Sequence, residues 1–148
     1  TNGIQAMDLA GRKLSMQGGA IMPGFCDDMA ATLPRIAALP GLSEVAERLE
    51  TGLQALRTAT DWMLTHKGAD ALSGATLYLR LAGEVIGGWM LALQALEVSG
   101  AEDDWSMSRA TLARIYASQV LVLAPGLAAA VMEGGSDLES LGADMLAG

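Results

Sequence analysis

One stretch of this sequence, residues 44–66, carries apolar or small side chains at every third or fourth position, while most of its charged residues lie elsewhere. This spacing puts the set on one side of an α-helix and predicts an amphipathic helix that packs against a core. Ala, Leu and Met fill such a core, since hydrophobic residues make up 51% of the chain and aromatic residues only 4%. The repeating positions are Val45, Leu49, Leu53, Leu56, Thr60 and Met63.

Gly and Pro divide the rest of the chain into further helical runs, over residues 3–16, 20–38, 70–98 and 106–133. A short last helix is predicted after Gly134 and Gly135, where Ser136 and Glu139 form a capping box. No run of strand-forming residues alternates with polar ones. The sequence predicts an all-α fold, an up-down antiparallel bundle of about four long helices with short helices at the ends.

Helix starts and interruptions follow from local residue types. Pro34 lies inside the second run and predicts a kink or a break, and Pro125 predicts a bend in the fifth. In the first run Ile4, Met7, Gly11 and Leu14 form the predicted apolar stripe. The predicted N-caps are Thr1 or Asn2, Ser43, and Ser106 or Asp104.

The run over residues 70–98 is apolar nearly all round and is long enough to span a membrane. Arg80 and Glu84 near its middle would be costly in hydrocarbon, by roughly 2.5–3.5 kcal/mol each. We therefore predict a buried central helix with an internal Arg80–Glu84 ion pair, and keep the membrane span as the alternative. Gly83 and Gly87 are expected to let a second helix approach closely.

Charge limits the partners of the chain. The net charge is −8 and the nine basic residues are scattered, so no basic cluster suited to nucleic acid or to an anionic membrane surface is present. The single cysteine, Cys26, permits no disulfide within the chain and fits a reducing compartment, and we expect a cytoplasmic protein.

Residues able to carry chemistry are few. His66 is the only histidine and is expected to lie at a helix C-terminus, so no imidazole metal cluster is predicted. Asp27 with Asp28, and Glu102 with Asp103 and Asp104, are expected near helix starts or on loops rather than in an acid–base site. Phosphate-binding glycine motifs are absent from the sequence. These residues alone predict a helical module without an active site.

The opening stretch, TNGIQAMDLAGRKL, resembles the end of the catalytic region in the acyl-CoA dehydrogenase family. That family has a Tyr-Glu-Gly-Thr-Asn-x-Ile-Gln type motif, whose later half Thr1, Asn2, Gly3, Ile4 and Gln5 match. The segment TLYLRLAGEVIGGWMLALQAL, residues 76–96, resembles the extra C-terminal helical domain of the large-subunit branch, which includes 3-methylmercaptopropionyl-CoA dehydrogenase-like enzymes. The resemblance divides the chain into residues 1–18, the motif end and first helix, and residues 19–148, the helical bundle.

This resemblance implies that the parent protein binds FAD and oxidises an acyl-CoA to a trans-2-enoyl-CoA, with transfer of a hydride to the flavin. The catalytic base, a Glu, would lie two positions before Thr1, so the chain itself contains no catalytic residue. Thr1 and Gln5 match motif positions that contact FAD, and free N–H groups at a helix start favour phosphate. The implied partners are the dehydrogenase body and a second copy in a homodimer, and the chain alone is expected to be inactive. The alternative is a stand-alone helical interaction module.

Overall fold

A computed structural model describes residues 1–66, 68–133 and 135, and in this part of the chain helices and turns are present but no β-strand. The all-α prediction is thereby confirmed. The predicted capping box at Ser136 and the short last helix lie outside the described residues. The α-helices are α1 (Asn2–Asp8), α2 (Ile21–Ala37), α3 (Ser43–Thr65), α4 (Ala69–Glu97), α5 (Asp104–Gln119) and α6 (Ala124–Met132).

Helices α3 and α4 lie together at the centre of the bundle, because α3 packs on α2, α4, α5 and α6, and α4 packs on all the other α-helices described. Every member of its predicted stripe, from Val45 to Met63, is at most 3% exposed. The long helices follow one another through short connections, which makes sequential helices neighbours. The stripe therefore organises the core, and the remaining helices cover it with Met29 and Ile36 from α2 and Leu81 and Val85 from α4.

A buried hydrogen bond joins α3 to α4 within this core. The Thr60 hydroxyl donates to the Leu56 carbonyl at 2.7 Å, and its oxygen lies 2.8 Å from the Tyr78 hydroxyl. Both side chains are at most 1% exposed, so each buried hydroxyl needs a partner. Burial raises the pKa of Tyr78 to about 12 from its ordinary value of 10.0, because the phenolate would lose its hydration.

Small residues of α4 let its neighbours approach closely. A Cβ atom added at Gly74 would collide with the backbone oxygen of Val131 in α6, and one at Gly88 would lie 2.8 Å from Leu121. At Gly87 it would lie 2.9 Å from the Tyr116 hydroxyl. The predicted role of Gly87 is confirmed, but Gly83 faces open space. The glycine spacing did not reveal which side of α4 the neighbours cover.

Helix ends differ from the predicted caps. Asp103, rather than Ser106 or Asp104, caps α5: its Oδ1 accepts from the Ser106 N–H at 3.0 Å and its Oδ2 from the Ser106 hydroxyl at 2.6 Å. These bonds lower the pKa of Asp103. Ser43 is already helical and Leu42 is the N-cap of α3, without a side-chain cap. Thr1 is the N-cap of α1 as predicted, again without a side-chain cap bond.

The two interior prolines behave differently. Helix α2 continues to Ala37 past Pro34, so the predicted break is wrong. The cost of Pro34 is the one backbone hydrogen bond that it cannot donate. Pro125 stands in the first turn of α6, directly after a 3₁₀ turn at Leu121–Leu123 that separates α6 from α5. A proline N–H is not needed at that position, and the departure from α-helical geometry lies before Pro125, at Val120–Leu123, rather than at it.

The prediction for the first run is wrong, because α1 does not bury its predicted apolar stripe. Helix α1 packs on α4 through Ala6, which is 1% exposed, whereas Ile4 and Met7 are 70% and 51% exposed. Only Leu14 of the stripe is buried, after a wider π-type turn over Leu9–Lys13. A small alanine allows a closer helix approach than Ile4 would, so packing on α4 overrides the amphipathic pattern.

The run over residues 70–98 is not the segment that meets the length and hydropathy criteria for a membrane span. By length and composition alone, one helical span in the described residues is apolar enough to cross a membrane, Asp104–Met132, and 28% of its most apolar window is buried. Helix α4 instead buries residues along much of its length, including Tyr78, Leu81 and Val85. The prediction of a central buried helix holds for α4.

We predict that Gly74→Ala destabilises the protein by about 1–3 kcal/mol, because its methyl group has no space against the α6 backbone. Gly83→Ala, a matched change on an open part of the same helix, should stabilise it by about 0.5–1 kcal/mol through helix propensity. Urea denaturation followed by circular dichroism measures both. Equal effects of the two substitutions would contradict the close approach of α6.

A second prediction concerns alkaline pH. The native state holds the Tyr78 proton up to about pH 12, whereas the unfolded chain loses it near its ordinary pKa of 10.0. Between these values the unfolded state binds fewer protons, so the free energy of unfolding falls as pH rises, by up to about 1.4 kcal/mol per pH unit. Urea denaturation across this range should show a shallower fall in Tyr78→Phe. Parallel curves for the two proteins would contradict the buried phenol.

Candidate functional site

The candidate cofactor-contacting residues, Thr1 and Gln5, lie in the first turn of the chain. The Gln5 N–H donates to the Thr1 carbonyl at 3.1 Å, which places the two side chains one helical turn apart on the same side of α1. Both side chains are exposed, and neither makes a hydrogen bond within the described residues. Gly3 between them has no atom within 4 Å of a built Cβ. Hydroxyl and amide groups are thus free to contact another molecule.

The same side of α1 continues into an ion-pair cluster. Arg12 donates from Nε to Asp8 Oδ1 at 2.8 Å and from Nη2 to Oδ2 at 3.2 Å, and Lys13 Nζ lies 3.3 Å from Oδ2. The hydrogen bond from Arg12 lowers the pKa of the Asp8 carboxyl. The polar stripe of Gln5, Asp8 and Arg12 therefore faces outward, and its one carboxylate is offset by two cations.

His66 is a helix-terminal residue, as predicted. Its backbone N–H donates to the Trp62 carbonyl at 2.9 Å, and its ring stacks on Trp62 with centroids 4.3 Å apart. The ring Nδ1 lies 2.9 Å from the same carbonyl and 3.1 Å from the Thr65 hydroxyl. These contacts fix the imidazole at the end of α3.

One residue of each acidic cluster makes a structural contact. Asp27 accepts from Arg57 Nη2 at 2.7 Å, which ties α2 to α3, and Asp103 caps α5. Among the described residues, no three His, Cys, Asp or Glu side chains come together in a way that could hold a metal ion. Cys26 is buried, and desolvation raises its thiol pKa, so the reactive thiolate is disfavoured.

The Arg80–Glu84 pair is present but lies at the surface, which corrects the prediction of an internal salt bridge. Arg80 Nε donates to Glu84 Oε1 at 2.7 Å, and the Arg80 side chain is 55% exposed while that of Glu84 is 17% exposed. The Glu84 Oε2 atom is buried and has no hydrogen-bond partner among the described residues. Position in an apolar run did not show that Arg80 lies on the one solvent-facing side of α4.

A cleft of about 260 Å³, not predicted from the sequence, opens where the segment after α1 meets the end of α3 and the start of α4. Its walls are mostly apolar, with Leu14, Met63 and Leu72 among them, and His66 lies at its edge. No local sequence signal could locate it, because its walls come from three separate segments. The described residues that line the cleft include His66 but no carboxylate, so they do not supply the paired acid and base that such chemistry needs.

Comparison with known proteins places this helical arrangement in a family. The family model described as "Acetyl-CoA dehydrogenase C-terminal like" matches residues 25–141. The match runs from Phe25, inside α2, through α6, and it begins after the segment that holds Thr1 and Gln5.

A curated relative supports the same family. The chain is 32% identical over 131 residues to 3-methylmercaptopropionyl-CoA dehydrogenase of Ruegeria pomeroyi, an alignment that takes in 82% of this chain and 22% of the relative. The chain thus spans about a fifth of the length of the dehydrogenase that it matches. With its bundle matched by the family model along most of its length, the chain belongs to the family of acyl-CoA dehydrogenase C-terminal domains.

Proposed function

We propose that this chain is the C-terminal helical domain of an FAD-dependent acyl-CoA dehydrogenase that oxidises an acyl-CoA to a trans-2-enoyl-CoA. The observation that carries the proposal is the family match over residues 25–141, supported by a dehydrogenase relative of which the aligned stretch makes up 22%. The catalytic base and most of the cofactor and substrate sites then belong to the dehydrogenase body. The chain alone is inactive in this proposal.

The work of the domain is structural. The buried hydroxyls of Thr60 and Tyr78 bond to each other across α3 and α4, Asp27 pairs with Arg57 across α2 and α3, and Asp103 caps α5. The exposed apolar face of α1, formed by Ile4 and Met7, is next to the motif residues and suits contact with the dehydrogenase body. The proposed assembly is a cytoplasmic homodimer.

The exposed groups at Thr1 and Gln5 fit one edge of an FAD site. Both offer hydrogen-bond donors on one side of α1, without internal partners in the described residues, and the nearby Asp8 charge is offset by Arg12. FAD, when bound, supplies the two-electron acceptor for the oxidation. In this proposal Thr1 and Gln5 bind and orient the cofactor, and other residues of the body complete the site.

The domain proposal predicts that a longer chain encoded by the same gene carries bound flavin and oxidises an acyl-CoA, whereas the 148-residue chain does neither. Visible flavin absorbance and reduction of an electron acceptor with an acyl-CoA substrate measure the two properties. Oxidation of acyl-CoA by the 148-residue chain alone would overturn the proposal. A gene that encodes no dehydrogenase body would do so as well.

The site proposal predicts that Gln5→Ala in that longer protein weakens FAD affinity up to about 10-fold, the loss expected for one hydrogen bond. Gln54→Ala, a change of another exposed glutamine on α3, is the matched control and should leave the affinity unchanged. Fluorescence titration of the apoprotein with FAD measures both. Equal FAD affinity of Gln5→Ala and the unchanged protein would remove Gln5 from the site.

A further inference from the structure

The cleft of about 260 Å³ beside His66 is large enough to hold a small molecule. Two of its lining side chains, Leu14 and Met63, are 4% and 3% exposed, so the cleft reaches the core of the bundle. An apolar cavity of about 150 Å³ holds benzene, and on that scale this cleft takes about ten non-hydrogen atoms. Walls of this kind favour an aliphatic occupant, because burial removes its apolar surface from water.

A wide helical turn forms one side of the cleft. Over Leu9–Lys13 the chain makes a π-type turn, in which the Leu14 N–H donates to the Leu9 carbonyl at 2.9 Å. Such turns are rare and often occur at functional sites. Ala10 and Gly11 of this turn line the cleft, and a Cβ atom built on Gly11 would have open space around it. The small side chains of the turn leave the volume of the cleft open.

A loop in an unusual conformation follows the turn and holds a second wall. Gln17, Gly18 and Gly19 are all left-handed, with φ angles of 53°, 69° and 83°. Such a conformation is unfavourable for Gln17 and persists where the surrounding structure holds it. A Cβ atom added at Gly19 would lie 3.0 Å from the side chain of Leu64, so the loop lies directly on this lining residue.

The polar group at the mouth of the cleft is the His66 ring, which stacks on Trp62. Its Nδ1 lies 2.9 Å from the Trp62 carbonyl, and since a carbonyl cannot donate, Nδ1 carries the proton. The Thr65 hydroxyl has other acceptors, the carbonyls of Asp61 and Trp62 at 2.9 and 3.0 Å. In the neutral ring Nε2 then has a lone pair, and no described residue donates a hydrogen bond to it.

We propose that this cleft binds a neutral aliphatic molecule with one hydroxyl group. The chain packs against Leu14, Met63 and Leu72, and the hydroxyl donates to His66 Nε2. An anionic head group is disfavoured, because Nε2 of the neutral ring has no proton to donate and the protein has a net charge of −8. Flavin content and acyl-CoA oxidation do not report on this cleft, so its test is independent of the dehydrogenase assignment.

Straight-chain alcohols of increasing length test the fit. Their affinity for the 148-residue chain should rise about 4-fold with each methylene from n-pentanol to n-octanol, because each buried methylene leaves water. The affinity should level off near n-nonanol, whose about ten non-hydrogen atoms fill the cleft. Nuclear magnetic resonance of the methionine methyl groups measures binding, and Met63 should shift while exposed Met90 should not. An unchanged Met63 resonance, or affinity that keeps rising with length, would overturn the proposal.

A change at His66 tests the hydroxyl contact. His66→Phe keeps a ring beside Trp62 but removes Nε2, and should weaken n-octanol binding about 3- to 10-fold, the loss of one hydrogen bond. Heptyl methyl ether has the same number of non-hydrogen atoms but no hydroxyl. It should bind the unchanged protein more weakly than n-octanol does, and the two should bind His66→Phe about equally. The same preference for the alcohol in both proteins would overturn the contact.

A charge at the rim tests the location. Leu72→Asp, at a lining residue that is 47% exposed, should weaken n-octanol binding at least about 10-fold, because a carboxylate would lose hydration against the aliphatic chain. Met90→Asp, at a residue of α4 that is 48% exposed and does not line the cleft, should leave it unchanged. Equal effects would overturn the proposal. Binding to the 148-residue chain but not to the longer protein would do so as well, since the dehydrogenase body would then cover the cleft.

Discussion

The close contact between α4 and its neighbours is the constraint on which the rest of the bundle depends. Gly74 and Gly88 leave no room for a Cβ atom, so the α6 backbone and Leu121 lie directly on the α4 surface. Because α6 reaches α4 at this distance, it also reaches α3, and the core closes around the α3 stripe. Interiors are close-packed, so an added methyl group at Gly74 would require the α6 backbone to move, whereas one at Gly88 would require the Leu121 side chain to move.

In the folded bundle, the polar residues that hold helices together are distinct from the apolar residues that face outward. Interior polar groups such as Thr60 and Tyr78 pair with each other, and acidic residues such as Asp27 and Asp103 hold helices and caps. Two apolar surfaces remain outside, one on α1 and one along α5 and α6. A domain of a larger enzyme is expected to have such surfaces, because contiguous exposed apolar patches commonly mark contacts with other proteins or domains.

The candidate site is consistent with that division. Thr1 and Gln5 present unused polar groups at the edge of the bundle, and no group of three metal-ligand side chains occurs among the described residues. In the proposed dehydrogenase the domain would therefore contribute a margin of the cofactor site while the reacting groups come from elsewhere. Its main effect on catalysis would be to hold the body and a second subunit in place.

The sequence by itself determined the helical class, the α3 stripe and the family, because periodic apolar residues and a specific motif are local signals. It also indicated His66 as a helix-terminal residue. Tertiary structure alone decided that α1 turns Ala6 inward and Ile4 outward, that Gly74 rather than Gly83 meets a neighbour, and that Arg80 lies in solvent. Each of these depends on which side of a helix another segment covers, and a helix with apolar residues on most sides does not specify that locally.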